Sequence, residues 1–237
     1  MTLERVNVEH CEDRLQVVLH RNRYDFVLSR LPARQQVLEI GTGPGTFTKE
    51  LLPTCASYVG VEYDYVTCLE ARRNAGDRVT IIKADARSLP FGESQFSFII
   101  CLEVLEHLGD FRAGLKSIYR CLRPDGTAII SVPYRRKGGK SNSNEHHLYE
   151  PGETELVSLL RKCFTSVEVF YQSFEETVLM TLARKLHLRR LLGLHQIYAD
   201  LAAGLPHATS RFHIGQQSGG LNEGLIVVVN GKSPDAE

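Results

Sequence analysis

The sequence predicts an α/β fold in which a parallel sheet is covered by helices on both faces. Three observations predict it. Short apolar runs rich in Val, Ile and Phe recur along the chain, helical periodicity follows most of them, and the first run breaks directly into glycines. Strands that alternate with helices of this length form parallel crossovers, and their strands are then buried on both faces. With 237 residues, 43% of them hydrophobic and 24% charged, the chain has material for a large core without staples.

The elements follow in order. Residues 15–31 mix polar and apolar side chains as a helix would and are closed by Pro32. Residues 36–40 form the first strand, and a helix follows over 46–52. Further strands are expected at 57–61, 79–83 and 96–101, with a helix at 66–74 between the first two. A helix over 111–122 is stopped by Pro124-Asp125-Gly126, a turn signal, before a fifth strand at 127–132. A helix at 153–163, a strand at 166–171 and a last strand at 224–230 complete the series. Before the last strand, residues 174–205 carry leucines at helical spacing interleaved with Arg184, Lys185, Arg189 and Arg190. That pattern predicts a helical insertion acting as a lid, with membrane-surface contact or a dimer interface as alternatives. No repeat divides the chain, so a single domain over 1–237 is expected.

Composition excludes several classes. Lys plus Arg total 28 and Asp plus Glu total 28, so the basic excess of a nucleic-acid binder is missing and no nucleic-acid partner is expected. The six cysteines are scattered without a C-x-x-C pair, as buried thiols of a reducing compartment would be. The first twenty residues hold no signal-peptide core, and no apolar run approaches the ~20 residues of a bilayer helix. A cytoplasmic protein without stable membrane insertion, monomeric or homodimeric, is the expectation.

The chemistry begins at Val37-Leu38-Glu39-Ile40-Gly41-Thr42-Gly43-Pro44-Gly45-Thr46. Glycines between a strand and a helix let backbone pass close to a ligand and aim free N–H groups at it. A dinucleotide fingerprint would want a glycine where Thr46 stands. Three acids, Glu39, Glu62 and Asp85, fall at the ends of the first three strands. Any one of them reads equally well as a helix cap or a solvated loop residue. Together they mark a ligand at the carboxyl edge of a sheet.

With Ala84–Pro90, Phe96–His107 and Leu122–Pro133, these motifs resemble the class I S-adenosylmethionine-dependent methyltransferases over about residues 34–173. Within that class they resemble the type 11 and ubiquinone-pathway O-methyltransferases. It implies a Rossmann-like, seven-stranded, mostly parallel sheet with the last strand antiparallel, and S-adenosylmethionine as cofactor. Carried over by position, Glu39 and Gly41 face the methionine part, and Gly43 and Gly45 line the turn. Glu62 holds the ribose with Tyr63 beside it, Asp85 and Ala86 the adenine, and Cys101 starts the wall beneath the methyl group. Amino-methylating DNA enzymes of this fold carry an Asn- or Asp-Pro-Pro-aromatic motif after the fourth strand, where this chain has Cys101-Leu102-Glu103-Val104. O-methylation of a small-molecule acceptor is therefore favoured.

Two clusters are candidates for the reacting end. Glu103, Glu106 and His107 stand at i, i+3 and i+4 and would share one face if helical. Similar stretches in the ubiquinone-pathway enzymes look metal-binding, but a packing role is preferred and no metal is assigned, with Mg²⁺ kept as the alternative. His146 and His147 lie in a loop after the fifth strand, and His147, with His107, is taken as the catalytic candidate because imidazole titrates in the right range. A nucleoside-binding module without catalysis and an NAD-binding oxidoreductase are the competing readings.

Overall fold

The computed structural model describes residues 14–76, 79–141, 144–174, 212–216 and 221–233. Helix α1 (Arg14–Arg30) leads into β1 (Gln35–Ile40), α2 (Thr48–Leu51), β2 (Cys55–Glu62), α3 (Tyr65–Ala75) and β3 (Thr80–Lys83). Then come β4 (Phe96–Leu102), a one-turn 3₁₀ helix (Leu105–His107), α4 (Phe111–Cys121) and β5 (Leu122–Pro133). The chain closes with α5 (Glu153–Cys163), β6 (Phe164–Phe174), β7 (Phe212–Gly215) and β8 (Leu221–Lys232).

The sheet runs β3-β2-β1-β4-β5-β8-β6-β7. The first five strands pair in parallel, and β8 inserts antiparallel between β5 and β6. The antiparallel last strand is thus as expected, while the count of seven is corrected to eight. The reason is local: β6 runs on to Phe174, and residues Tyr171–Phe174 offer an edge that β7 pairs and covers. The predicted helical insertion at 174–205 lies outside the described residues, apart from Phe174 at the end of β6. The Pro124-Asp125-Gly126 turn does not delay β5. The strand already starts at Leu122, and the register jumps from Phe96↔Leu122 to Phe98↔Thr127, so the turn bulges out of the ladder.

Both sheet faces are covered, which explains the unbroken apolar strands. Leu38, Ile40, Ile99, Cys101 and Ile130 pack with Phe111 and Ile118 of α4 and Leu156 and Leu160 of α5. Val37, Phe98, Ile100 and Ile129 pack on the opposite face with Tyr24 and Val27 of α1 and Cys68 and Ala71 of α3. Helix α4 forms because its apolar residues fall on one stripe (Phe111, Gly114, Ile118, Cys121) and because Asp110 caps it, accepting from the N–H groups of Arg112 and Ala113. Strand order reverses direction beside β1, between β2 and β4, the position where a crevice opens at the carboxyl ends of an α/β sheet.

Candidate functional site

At that crevice the glycine turn is held open by its neighbours. Gly41 has φ +76°, and a Cβ there would meet Val104 Cγ2 at 2.3 Å, so only glycine fits. Gly45, at φ +73°, lets the turn approach α3, where a Cβ would lie 3.0 Å from the Ala71 Cα. The Gly41 and Thr42 amides donate to the Val61 carbonyl (2.8 and 3.1 Å), and the Gly43 amide donates to Glu62 Oε2 (3.1 Å). Glu62 Oε1 accepts from the amides of Tyr63 and Asp64 at 2.8 and 3.0 Å. The end of β2 and the glycine turn are therefore one hydrogen-bonded unit.

A cavity of about 750 Å³ opens above this unit. Gly41, Gly43, Glu62, Tyr63, Asp85, Ala86, His107 and His147 of the sequence-predicted residues line it. Glu39, Gly45 and Cys101 are not among its lining residues. Strand alternation explains Glu39: it shares a face with Val37, toward α1, and not with Leu38 and Ile40. Its carboxylate, 1% exposed, accepts from the hydroxyls of Tyr24 and Tyr58 and, at 3.4 Å, of Thr48. Burial raises the Glu39 carboxyl above its ordinary range and the three hydroxyls pull it back. Cys101 is fully buried on the opposite face of β4, and burial pushes its thiol up. Asp85 is held by Arg87, whose Nη2 lies 2.6 Å from Oδ2, and that hydrogen bond keeps its carboxyl below the usual range.

The other end of the cavity comes from three separated segments. Glu103 has φ +54° and precedes the 3₁₀ helix, so the helical face predicted for Glu103, Glu106 and His107 does not form. The Glu103 amide donates to the Ser131 carbonyl (3.0 Å), its Oε1 accepts from the Ser131 hydroxyl (2.7 Å), and its Oε2 lies 3.3 Å from Arg23 Nη2. Glu106 and His107 instead meet the loop after β5. The amides of Leu148 and Tyr149 donate to the Glu106 carbonyl (2.9 and 3.2 Å), which draws His147 over them. The rings of His107 and His147 are 4.8 Å apart, edge to face.

Glu106, His107 and His147 place one potential ligand atom each within 4.8 Å of one another. Glu106 is fully buried and, among the described residues, neither of its carboxylate oxygens has a hydrogen-bond partner. Burial, then the neighbouring Glu103, drive its carboxyl well above the ordinary range. His147 Nδ1 is 2.6 Å from Glu150 Oε1, and Arg135 Nη1 is 3.1 Å from the other oxygen of Glu150. Glu150 and Arg23 are the cavity residues that sequence reasoning missed. Glu150 stood three residues from the chosen His147; Arg23 carried no signal, because nothing local separates it from the other arginines of its helix.

Residues 38–130 match the family profile described as a methyltransferase domain. A probable S-adenosylmethionine-dependent methyltransferase of Mycolicibacterium smegmatis is 29% identical over 152 residues, which is 62% of this chain and 59% of that protein. The demethylmenaquinone methyltransferase of Clavibacter sepedonicus is 31% identical over 114 residues, 45% of this chain and 46% of that one. The chain thus spans about half to three-fifths of the length of these curated relatives. Among solved structures, an S-adenosylmethionine-dependent methyltransferase of Thermotoga maritima superposes with a TM-score of 0.60 at 19% identity, covering 90% of this chain and 91% of that one. The N-methyltransferase NodS of Bradyrhizobium japonicum, solved with S-adenosyl-L-homocysteine, gives 0.58 at 18% identity, covering 90% and 87%. These two share the fold.

Proposed function

The chain carries a class I S-adenosylmethionine-dependent methyltransferase domain, and from that premise we propose that it methylates an oxygen of a small-molecule acceptor. One observation carries the reading. A single cavity has the glycine turn and Glu62 at one end and a histidine backed by a carboxylate at the other. Its volume of about 750 Å³ lies in the range of small-molecule sites, and its lining sets apolar walls (Val61, Leu102, Val104) among many polar and charged side chains, room and chemistry for a nucleoside and an acceptor together.

The bound cofactor would supply an electrophilic methyl on a sulfonium, which leaves as a neutral thioether. Gly41 and Gly43 give backbone access, Glu62 and Tyr63 flank the ribose, and Ala86 covers the adenine. Asp85 reaches the adenine amino group only in exchange for part of its pairing with Arg87. Glu39 acts from behind the wall: its three hydroxyl partners tie β1 to α1 and α2 and hold the turn in place. Gly45 and Cys101 likewise support the turn and β4. Glu150 holds His147 at Nδ1 and the Asn144 side-chain amide lies 3.0 Å from Nε2, so an acceptor that gives its proton to Nε2 as the O–CH₃ bond forms takes the place of Asn144 there. Holding the acceptor in line supplies up to ~7–11 kcal/mol, and the base roughly 10²–10⁴-fold.

The orphaned Glu106 carboxylate favours a second reading of the same end. One carboxylate and two imidazoles form a donor set that suits a divalent cation, which would bind and acidify an acceptor hydroxyl. His107 fits this set, since its Nδ1 lies 3.1 Å from the His146 carbonyl and its orientation is thereby fixed. The deciding experiment is methyl transfer from labelled S-adenosylmethionine to a panel of phenolic, carboxylic and quinol acceptors, with mass analysis of the products, in EDTA and in Mn²⁺. A labelled ester or ether sustains O-methylation; label on carbon or nitrogen, or none on any acceptor, refutes it.

A further inference from the structure

Asp85 stands just past the end of β3 and lines the cavity together with Ala86 and Arg87. Arg87 takes up both oxygens of its carboxylate. Oδ1 accepts from the Arg87 amide (2.9 Å) and from Nε (3.0 Å), and Oδ2 accepts from the same Nε (3.1 Å) and from Nη2 (2.6 Å). An ionised carboxylate offers about four lone-pair sites, so these contacts leave no strong acceptor site for another donor.

The fold does not depend on this pair. Backbone groups hold the turn: the Ser88 amide donates to the Asp85 carbonyl and the Ser117 hydroxyl donates to the Arg87 carbonyl, both at 2.9 Å. The Asp85 and Arg87 side chains are 29% and 46% exposed, and an ion pair so open to water adds little stability. The guanidinium can therefore swing away while the turn stays. Asp85 holds it most strongly, and Asp110, the cap of α4, attracts it as well. We propose that Arg87 is a built-in competitor for the adenine subsite: its guanidinium occupies Asp85 in place of the adenine amino group and withdraws from at least one oxygen when the base enters. A site that is competent in only a fraction of the molecules binds more weakly by that fraction. Adenine is common to the cofactor and to the spent thioether, so the competitor weakens both alike. The inference rests on the nucleoside reading above and adds to it the residue that sets how tightly the nucleoside is held.

The test is calorimetry on the full chain, native and Arg87→Met, with two ligands: S-adenosyl-L-homocysteine, and its analogue in which hydrogen replaces the adenine amino group. Methionine keeps an unbranched stem and removes the donors. The expected result is that Arg87→Met binds S-adenosylhomocysteine roughly 3- to 5-fold more tightly and shifts the analogue by less than about 1.5-fold, with Arg87→Lys between native and Met. Retained binding of the analogue shows that the variant is folded. Weaker or unchanged S-adenosylhomocysteine binding, or the same tightening of both ligands, overturns the assignment of Arg87 while leaving the nucleoside site standing. If neither the native chain nor the variant binds either ligand, the nucleoside reading fails and takes this proposal with it.

Discussion

Replacing Tyr58 by Phe removes one hydroxyl from the buried carboxylate of Glu39 and leaves the ring in place. Glu39 Oε1 accepts from Tyr24 and Oε2 from Tyr58 and Thr48, so the variant leaves Oε2 with the 3.4 Å contact to Thr48 alone. A hydrogen bond to a charged group is worth ~1.5–3 kcal/mol, against ~0.5–1.5 kcal/mol for a neutral one. The carboxyl is raised by burial, and its hydroxyl partners lower it. A carboxyl whose folded pKa exceeds its unfolded value of about 4.3 contributes stability that is present below that pH and lost as pH rises through the folded pKa. Losing a donor raises the folded pKa further, so the variant keeps losing stability after the native protein has stopped. The cost of Tyr58→Phe therefore grows with pH, approaching ~1.5–3 kcal/mol at pH 8, or roughly 3–12 °C in Tm for a domain of this size. Urea denaturation at pH 5, 6, 7 and 8 measures it. A cost that is the same at pH 5 and pH 8 would refute the view that Glu39 is a buried carboxylate sustained by its hydroxyls.

Three more outcomes are expected. His147→Ala should lower kcat by roughly 10²–10⁴-fold with little change in S-adenosylhomocysteine affinity, and Glu150→Gln should lower it less; a Kd change matching the kcat loss would argue for a binding role instead. Gly41→Ala forces a side chain into Val104 at a positive φ, so cofactor affinity should collapse and stability fall by ~1 kcal/mol or more; calorimetry and thermal melts check both, and wild-type affinity would sink the account of the turn. Mn²⁺ should raise the Tm of the native chain and leave Glu106→Gln unmoved, while the same small shift in both variants would dismiss Glu106, His107 and His147 as a cation site.

The parts of this protein that depend on near neighbours were legible in the linear chain. Gly41 and Gly43 announce a close backbone approach, and apolar runs such as Phe96–Cys101 announce strands buried on both sides. Glu62 could be placed because it ends a strand next to the turn it braces. Parallel order followed from the alternation of strands and helices, the antiparallel last strand came from the family resemblance, and the structure bears both out.

What only the tertiary structure decided is which way side chains face once distant segments meet. Glu39 looked like a ligand residue because it sits beside the turn, but strand alternation and the arrival of Tyr24 from α1 turn it into the core. Glu103, Glu106 and His107 shared a helical spacing, yet a positive φ at Glu103 splits them, sending one acid to Arg23 and the other to His147. Arg23 and Glu103 are eighty positions apart, and no local pattern records their pairing. Sequence spacing reports periodicity within one element. The chemistry of this cavity is set by contacts between α1, the 3₁₀ turn and the loop after β5, which exist only when the sheet has brought their ends together.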